Sequence, residues 1–170
     1  MGVVETFTER NAEFAKTRFN PGLRMRPTLA TIVICCVDTR VDPTVVLGAE
    51  QGEIMAIRNV GGRVTPRTLD ELVMLRQVAR SVGDDYSGWE LIIMQHTQCG
   101  ITRIQDHPEL LARYFQIGEK DLPGTWVGDP QAAVVRDATV LRAETRLDGV
   151  RVSGLVYDVA TGLVEIIVQP

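Results

Sequence analysis

The sequence predicts an α/β protein: a mostly parallel central sheet flanked by helices, with an antiparallel C-terminal hairpin strand. Three observations carry this reading. Short apolar runs, LATIVICC at 29–36 and WELIIMQ at 89–95, have the length and continuity of strands buried on both faces. Between them lies a helix-period stripe, Leu69, Leu72, Leu75, Ala79 and Val82. Near the end, RVSGLVYDV and LVEIIVQ flank Ala160-Thr161-Gly162, the pattern of a hairpin.

In chain order, residues 4–18 are polar with apolar positions at Val4, Phe7, Phe14 and Ala15, an amphipathic helix that Asn20-Pro21-Gly22 ends. Such a helix either packs on its own domain or reaches a partner subunit. The strand at 29–36 comes next, and a second at 53–58, EIMAIR, between Gly48/Gly52 and Gly61-Gly62. The helix at 68–82 carries a possible capping box, Thr68 with Glu71, and Gly83 suits the position past its end. After the strand at 89–95, a helix begins around Ile101 to Arg103, and another spans about 130–146, with Asp129 and Pro130 as starting residues. Residues 1–170 thus read as one domain, with 1–22 as a helical arm.

Composition narrows the function classes. Hydrophobic residues make up 45% and charged residues 24% of 170, ordinary for a globular protein able to bury a core without disulfides. The net charge is −4 and no basic stripe exists, which argues against nucleic acid as the primary partner. No apolar run approaches membrane-spanning length, and the start, MGVVETFTERNAEF, lacks the apolar stretch of a signal peptide. A cytoplasmic protein without a membrane partner is expected. Three cysteines, two of them adjacent, do not make a disulfide framework. The glycines at 61–62 do not match a dinucleotide fingerprint, and no phosphate-loop lysine motif is present. Gly61 and Gly62 serve either a turn or a close backbone approach to a pocket.

The chemistry gathers at two strand ends. In Cys36-Val37-Asp38-Thr39-Arg40, an extended chain would put Cys36, Asp38 and Arg40 on one face and Cys35 on the other. Cys35 is then a core residue. His96-Thr97-Gln98-Cys99 follows another strand, and ligands in open α/β sheets bind beyond the carboxyl ends of strands. Two thiols and one imidazole suit tetrahedral Zn2+, and three protein ligands leave a position for water. The remaining histidine, His107 in DHPEL, reads as solvent-facing or helix-capping. The shortage of a fourth ligand favours a catalytic over a structural zinc. Asp38 either orients the metal-bound water, held ionised by Arg40, or occupies the fourth zinc position and closes the site. Two thiolates cancel the formal charge of zinc and make its water less acidic than three imidazoles would. Backbone donors to the sulfurs, and a helix N-terminus at Cys99, would offset this.

Taken together these residues resemble the β-class carbonic anhydrases, in particular the compact branch. CVDTR at 36–40 is similar to the family's Cys-x-Asp-x-Arg motif, and HTQCG at 96–100 to its His-x-x-Cys-Gly motif. GEIMAIRNVGG at 52–62 resembles its glycine, strand and Arg-Asn-x-Gly stretch, and VSGLVYDVATGLV its closing hairpin. Gln98 departs from the Asp or Gly of many members. The resemblance implies zinc on Cys36, His96 and Cys99 and a catalytic dyad of Asp38 and Arg40. The reaction implied is reversible hydration of carbon dioxide to bicarbonate by zinc-bound hydroxide. A homodimer or larger homo-oligomer is implied too, the N-terminal helix wrapping its neighbour. Two other readings stay open: a carbonyl sulfide or carbon disulfide hydrolase on the same zinc site, and a noncatalytic zinc-binding module.

Overall fold

The computed structural model describes residues 2–84 and 86–170; Met1 and Asp85 lie outside it. A five-stranded sheet has the order β2-β1-β3-β4-β5. Its strands are β1 (Thr31–Cys36), β2 (Ile54–Asn59), β3 (Glu90–His96), β4 (Arg151–Tyr157) and β5 (Val164–Val168). The first four run parallel, and β5 returns antiparallel on β4. Every residue of β1 is buried, as a central strand covered on both faces must be.

The helices are α1 (Val3–Thr17), α2 (Pro43–Val46), α3 (Pro66–Ser81), α4 (Pro108–Phe115) and α5 (Pro130–Ala143). The main core lies where α3 and α5 cover the sheet, with Leu72, Val134, Ala138 and Leu141 against Ile32, Ile34, Leu91 and Ile93. At full burial each such aliphatic side chain contributes roughly 1.5–3 kcal/mol.

Several expectations shift. α3 starts before Thr68: Thr65 is its N-cap, accepting the Thr68 N–H, and Pro66 fills the first turn. Thr68 is instead buried, its hydroxyl bonding the Arg63 carbonyl. The segment after Cys99 is a 3-10 turn, Gly100–Ile104, with α4 following as a separate helix. α5 ends at Ala143, and a 3-10 turn, Thr145–Leu147, carries the chain on. Asp129 caps α5 as expected, its carboxylate accepting the N–H groups of Gln131 and Ala132. Gly83 lies past the end of α3 at φ 84°.

The strand order sets the location of the site. From β1 the chain moves to β2 on one side and then to β3 on the other, so the β1/β3 pair is the switch point of the sheet. A crevice opens there at the carboxyl ends. Cys35 pairs with Met94, which brings Cys36 and His96 to the same rim.

Candidate metal centre

Strand alternation separates the adjacent cysteines. Cys35 faces Val33 and Met94 and is fully buried. Burial pushes its thiol up to about 12, with Arg58 pulling weakly the other way. Cys36 faces the opposite side, among Val41, Cys99, Ile101, Leu111 and Phe115.

The ligand atoms of Cys36, His96 and Cys99 all lie within 4.8 Å of one another, and all three residues are buried. The two sulfurs are 3.8 Å apart. His96 Nδ1 lies 2.9 Å from the Thr97 carbonyl oxygen. A carbonyl only accepts, so Nδ1 carries the hydrogen and Nε2 presents its lone pair. That Nε2 is buried without a hydrogen-bond partner. Leaving such an atom unpaired costs about 1–3 kcal/mol. Two thiols and one bare imidazole nitrogen therefore converge on a common point, the donor set of a tetrahedral zinc with one position free.

The sulfurs are electrostatically prepared. The Cys36 thiol is pulled down to about 4, chiefly by the hydrogen bond from Cys99, against the cost of burial. The backbone N–H groups of Asp38 and Gly61 add to this, Asp38 N lying 3.4 Å from the sulfur. Cys99, which keeps the shared proton, moves up, while the Ile101 N–H opposes that shift. Cys99 is also the N-cap of the 3-10 turn. These N–H donors draw charge from the thiolates and relieve part of the problem that two anions pose beside a metal.

Asp38 and Arg40 come together by a turn rather than by extended-chain alternation. The strand ends at Cys36, and residues 39–40 form a turn in which Arg40 N–H bonds Asp38 Oδ1 at 3.0 Å. The guanidinium closes the ring, Nε to Oδ1 at 3.0 Å and Nη2 to Oδ2 at 2.7 Å. Arg40 thereby holds the Asp38 carboxyl well below the ordinary carboxylate range. Arg40 Nη2 also reaches the Gln98 carbonyl at 3.1 Å, tying the two motifs together. Asp38 is not part of the three-donor cluster.

Three features escape a reading by motif alone. Arg58 clamps the loop after β1, bonding the carbonyls of Cys36 and Asp38 at 3.1 and 2.8 Å and the Asp42 carboxylate at 2.8 Å. Gly62 packs so closely on β1 that a Cβ would lie 2.7 Å from Cys36 N. Gln95 Nε2 fixes the Gly62 carbonyl at 2.6 Å. The Arg-Asn-x-Gly resemblance, which runs from Arg58 to Gly61, is the available signal for Arg58. His107 is exposed at the N-cap of α4, 3.7 Å from Glu109.

A family profile described as carbonic anhydrase matches residues 31–115, which span both motifs and half of the chain. This chain belongs to the β-carbonic anhydrase family. Some carbonic anhydrase relatives match over nearly full length, others over 59% of this chain. Beta-carbonic anhydrase 1 of Mycobacterium tuberculosis is 28% identical over 169 residues, covering 95% of this chain and 96% of the relative. The crystal structure of carbonic anhydrase from Streptococcus mutans superposes with a TM-score of 0.75 at 26% identity, covering 98% of both chains. A carbon disulfide hydrolase shares the fold, with a TM-score of 0.61 at 22% identity over 95% of this chain and 88% of that one.

Proposed function

We propose that this β-carbonic anhydrase family member catalyses the reversible hydration of carbon dioxide to bicarbonate, with zinc held by Cys36 Sγ, His96 Nε2 and Cys99 Sγ. The observation that carries the reading is the convergence of these three buried donors beside an Asp38–Arg40 pair. Bound zinc supplies a Lewis acid that lowers the pKa of a coordinated water.

The chain's own residues do the rest. Arg40 keeps Asp38 ionised, so Asp38 is an acceptor only. A water hydrogen directed at this carboxylate leaves the oxygen's lone pair facing the electrophile. We assign Asp38 this orienting role rather than the fourth zinc position, because it lies outside the three-donor cluster and is paired to Arg40. Arg40 fixes Asp38 relative to the second motif through the Gln98 carbonyl. The apolar surround of Val41, Ile101, Leu111 and Phe115 keeps the sulfurs dry and suits an uncharged, linear substrate.

The arm and the assembly belong to the same reading. α1 has no buried residue, and Val3, Val4 and Phe7 are 60% exposed or more. That stripe supports a homodimer or larger homo-oligomer in which residues 1–22 cover a neighbouring subunit. Among the described residues no helix is long and apolar enough to cross a membrane. The reading requires Cys36 and Cys99 reduced, as they are in a cytoplasm.

Cys36→Ser tests the ligand assignment: zinc content by metal analysis and hydration activity are both expected to fall to background. Retention of both would overturn it. Hydrogen sulfide release from carbonyl sulfide or carbon disulfide, without carbon dioxide turnover, would replace the substrate and keep the metal centre. Bound zinc with no turnover of any of these would leave a noncatalytic module.

A further inference from the structure

Thr97 lies between His96 and Cys99 of the second motif, and its N–H, carbonyl and hydroxyl are all hydrogen-bonded. Its N–H donates to the Tyr157 carbonyl at 3.0 Å. Its own carbonyl accepts from His96 Nδ1 at 2.9 Å. Its hydroxyl donates to Asp158 Oδ1 at 3.0 Å and accepts the Val159 N–H at 3.1 Å.

Asp158 is fixed in turn by the hairpin between β4 and β5. Oδ1 accepts the Ala160 N–H at 2.9 Å, and Oδ2 accepts the Thr161 hydroxyl at 3.0 Å. Its backbone closes the hairpin, bonding Leu163 O through N–H and Gly162 N–H through its carbonyl. The carboxylate therefore stands on a rigid turn and has one task outside that turn, the Thr97 hydroxyl.

The site needs such a support. β3 ends at His96, and Gln98 already adopts the left-handed conformation at φ 55°. The carbonyl of Thr97 thus leaves the sheet, and no strand ladder holds it. Yet that oxygen decides which ring nitrogen of His96 carries the hydrogen, and so where Nε2 points.

We propose that Thr97 and Asp158 form a positioning pair: the hairpin turn, acting through the Thr97 hydroxyl, fixes the carbonyl that sets the orientation and tautomer of His96, and thereby sets metal affinity. The inference rests on His96 being a zinc ligand. A partner one step removed from a metal ligand typically changes affinity 10–100-fold when lost.

The experiment measures Zn2+ affinity by competition with a chromophoric chelator, and the Co2+ absorption spectrum, for wild type, Thr97→Val, Thr97→Ser and Asp158→Asn. Circular dichroism of each protein checks the fold. Thr97→Val keeps size and β-branching and removes the hydroxyl, so zinc binding about 10-fold weaker or worse is expected, with a shifted Co2+ spectrum. Thr97→Ser restores the hydroxyl and is expected to stay within about threefold of wild type, with Asp158→Asn intermediate. Folded Thr97→Val binding zinc within about twofold of wild type, with an unchanged Co2+ spectrum, would overturn the proposal. If Thr97→Val does not fold, Asp158→Asn decides, and wild-type affinity there would overturn it. Wild-type protein that takes up no zinc at all would be a different failure, that of the metal centre itself.

Discussion

A methyl group has no place at Gly62. The residue sits at φ 61°, and a Cβ would lie 2.7 Å from Cys36 N and 2.8 Å from the Cys35 carbonyl carbon. Backbone cannot yield as a flexible side chain does. Gly62→Ala is expected to cost about 2–4 kcal/mol in urea unfolding, combining left-handed strain with overpacking, and to lower zinc content. Unchanged stability would mean that the close approach is not needed. The sequence left Gly61 and Gly62 between a turn and a close approach to a pocket; the turn is present, and the close approach is to the β1 backbone instead. Gly61 lends its N–H to Cys36, and Gly62 lets that turn lie against β1. That Cys35 and Cys36 face opposite ways was legible, because a period of two along a buried strand separates adjacent residues. The Asp38–Arg40 contact was legible as a pairing but not in its cause, since the chain turns at 39–40. Gln98 sits at φ 55°, a conformation that a glycine or aspartate adopts with less strain.

The elements were easiest to read where local chemistry defines them. Asp129 before Pro130 announced α5, and the carboxylate does accept two N–H groups of its first turn. Asp129→Ala is expected to lower stability by about 1 kcal/mol by chemical denaturation. An effect near zero would mean the cap is replaced by water. The start of α3 was misread because Thr68-Glu71 fits a capping box as well as Thr65 fits an N-cap, and Pro66 is what decides. What remained hidden was long-range. Arg63 and Asp137 form a buried pair, with Nε 2.8 Å from Oδ2 and almost no exposure of either side chain. Asp137 also takes Val64 N–H and Arg136 Nη1, so α5 is pinned to the loop that carries Gly61 and Gly62. In sequence these residues look like ordinary surface charges, because nothing local marks a pair 74 positions apart. Asp137→Ala strands a buried guanidinium and is expected to cost about 3–5 kcal/mol. A loss below ~1 kcal/mol would contradict the view that this pair pins the loop.

At the scale of the whole molecule, titration and assembly give further tests. Arg146 holds Glu144 down to about 2 from an ordinary 4.5, and Asp42 and Asp158 are lowered by hydrogen bonds to their carboxylates. Folded values below unfolded ones give stability that is present above the carboxylate range and lost as pH falls through it. Burial raises Tyr86 and Tyr114 from 10.0 to about 12, so their contribution is full below 10 and lost as pH rises toward 12. Thermal unfolding should therefore show a plateau bounded on both sides, and a melting temperature that climbs on acidification below 4.5 would contradict this assignment. The proposed homo-oligomer, with the exposed apolar stripe of α1 on a neighbouring subunit, predicts that Phe7→Asp shifts sedimentation toward monomer without unfolding the protein. An unchanged sedimentation coefficient would remove the arm from the interface. The central claim is catalytic and is met most directly by stopped-flow carbon dioxide hydration on the zinc-loaded protein, wild type beside Asp38→Ala. The account predicts rapid turnover in the wild type and a loss of about 100-fold or more in the variant, which keeps its zinc. Zinc-loaded wild-type protein that does not hydrate carbon dioxide, or a variant as fast as wild type, would contradict it.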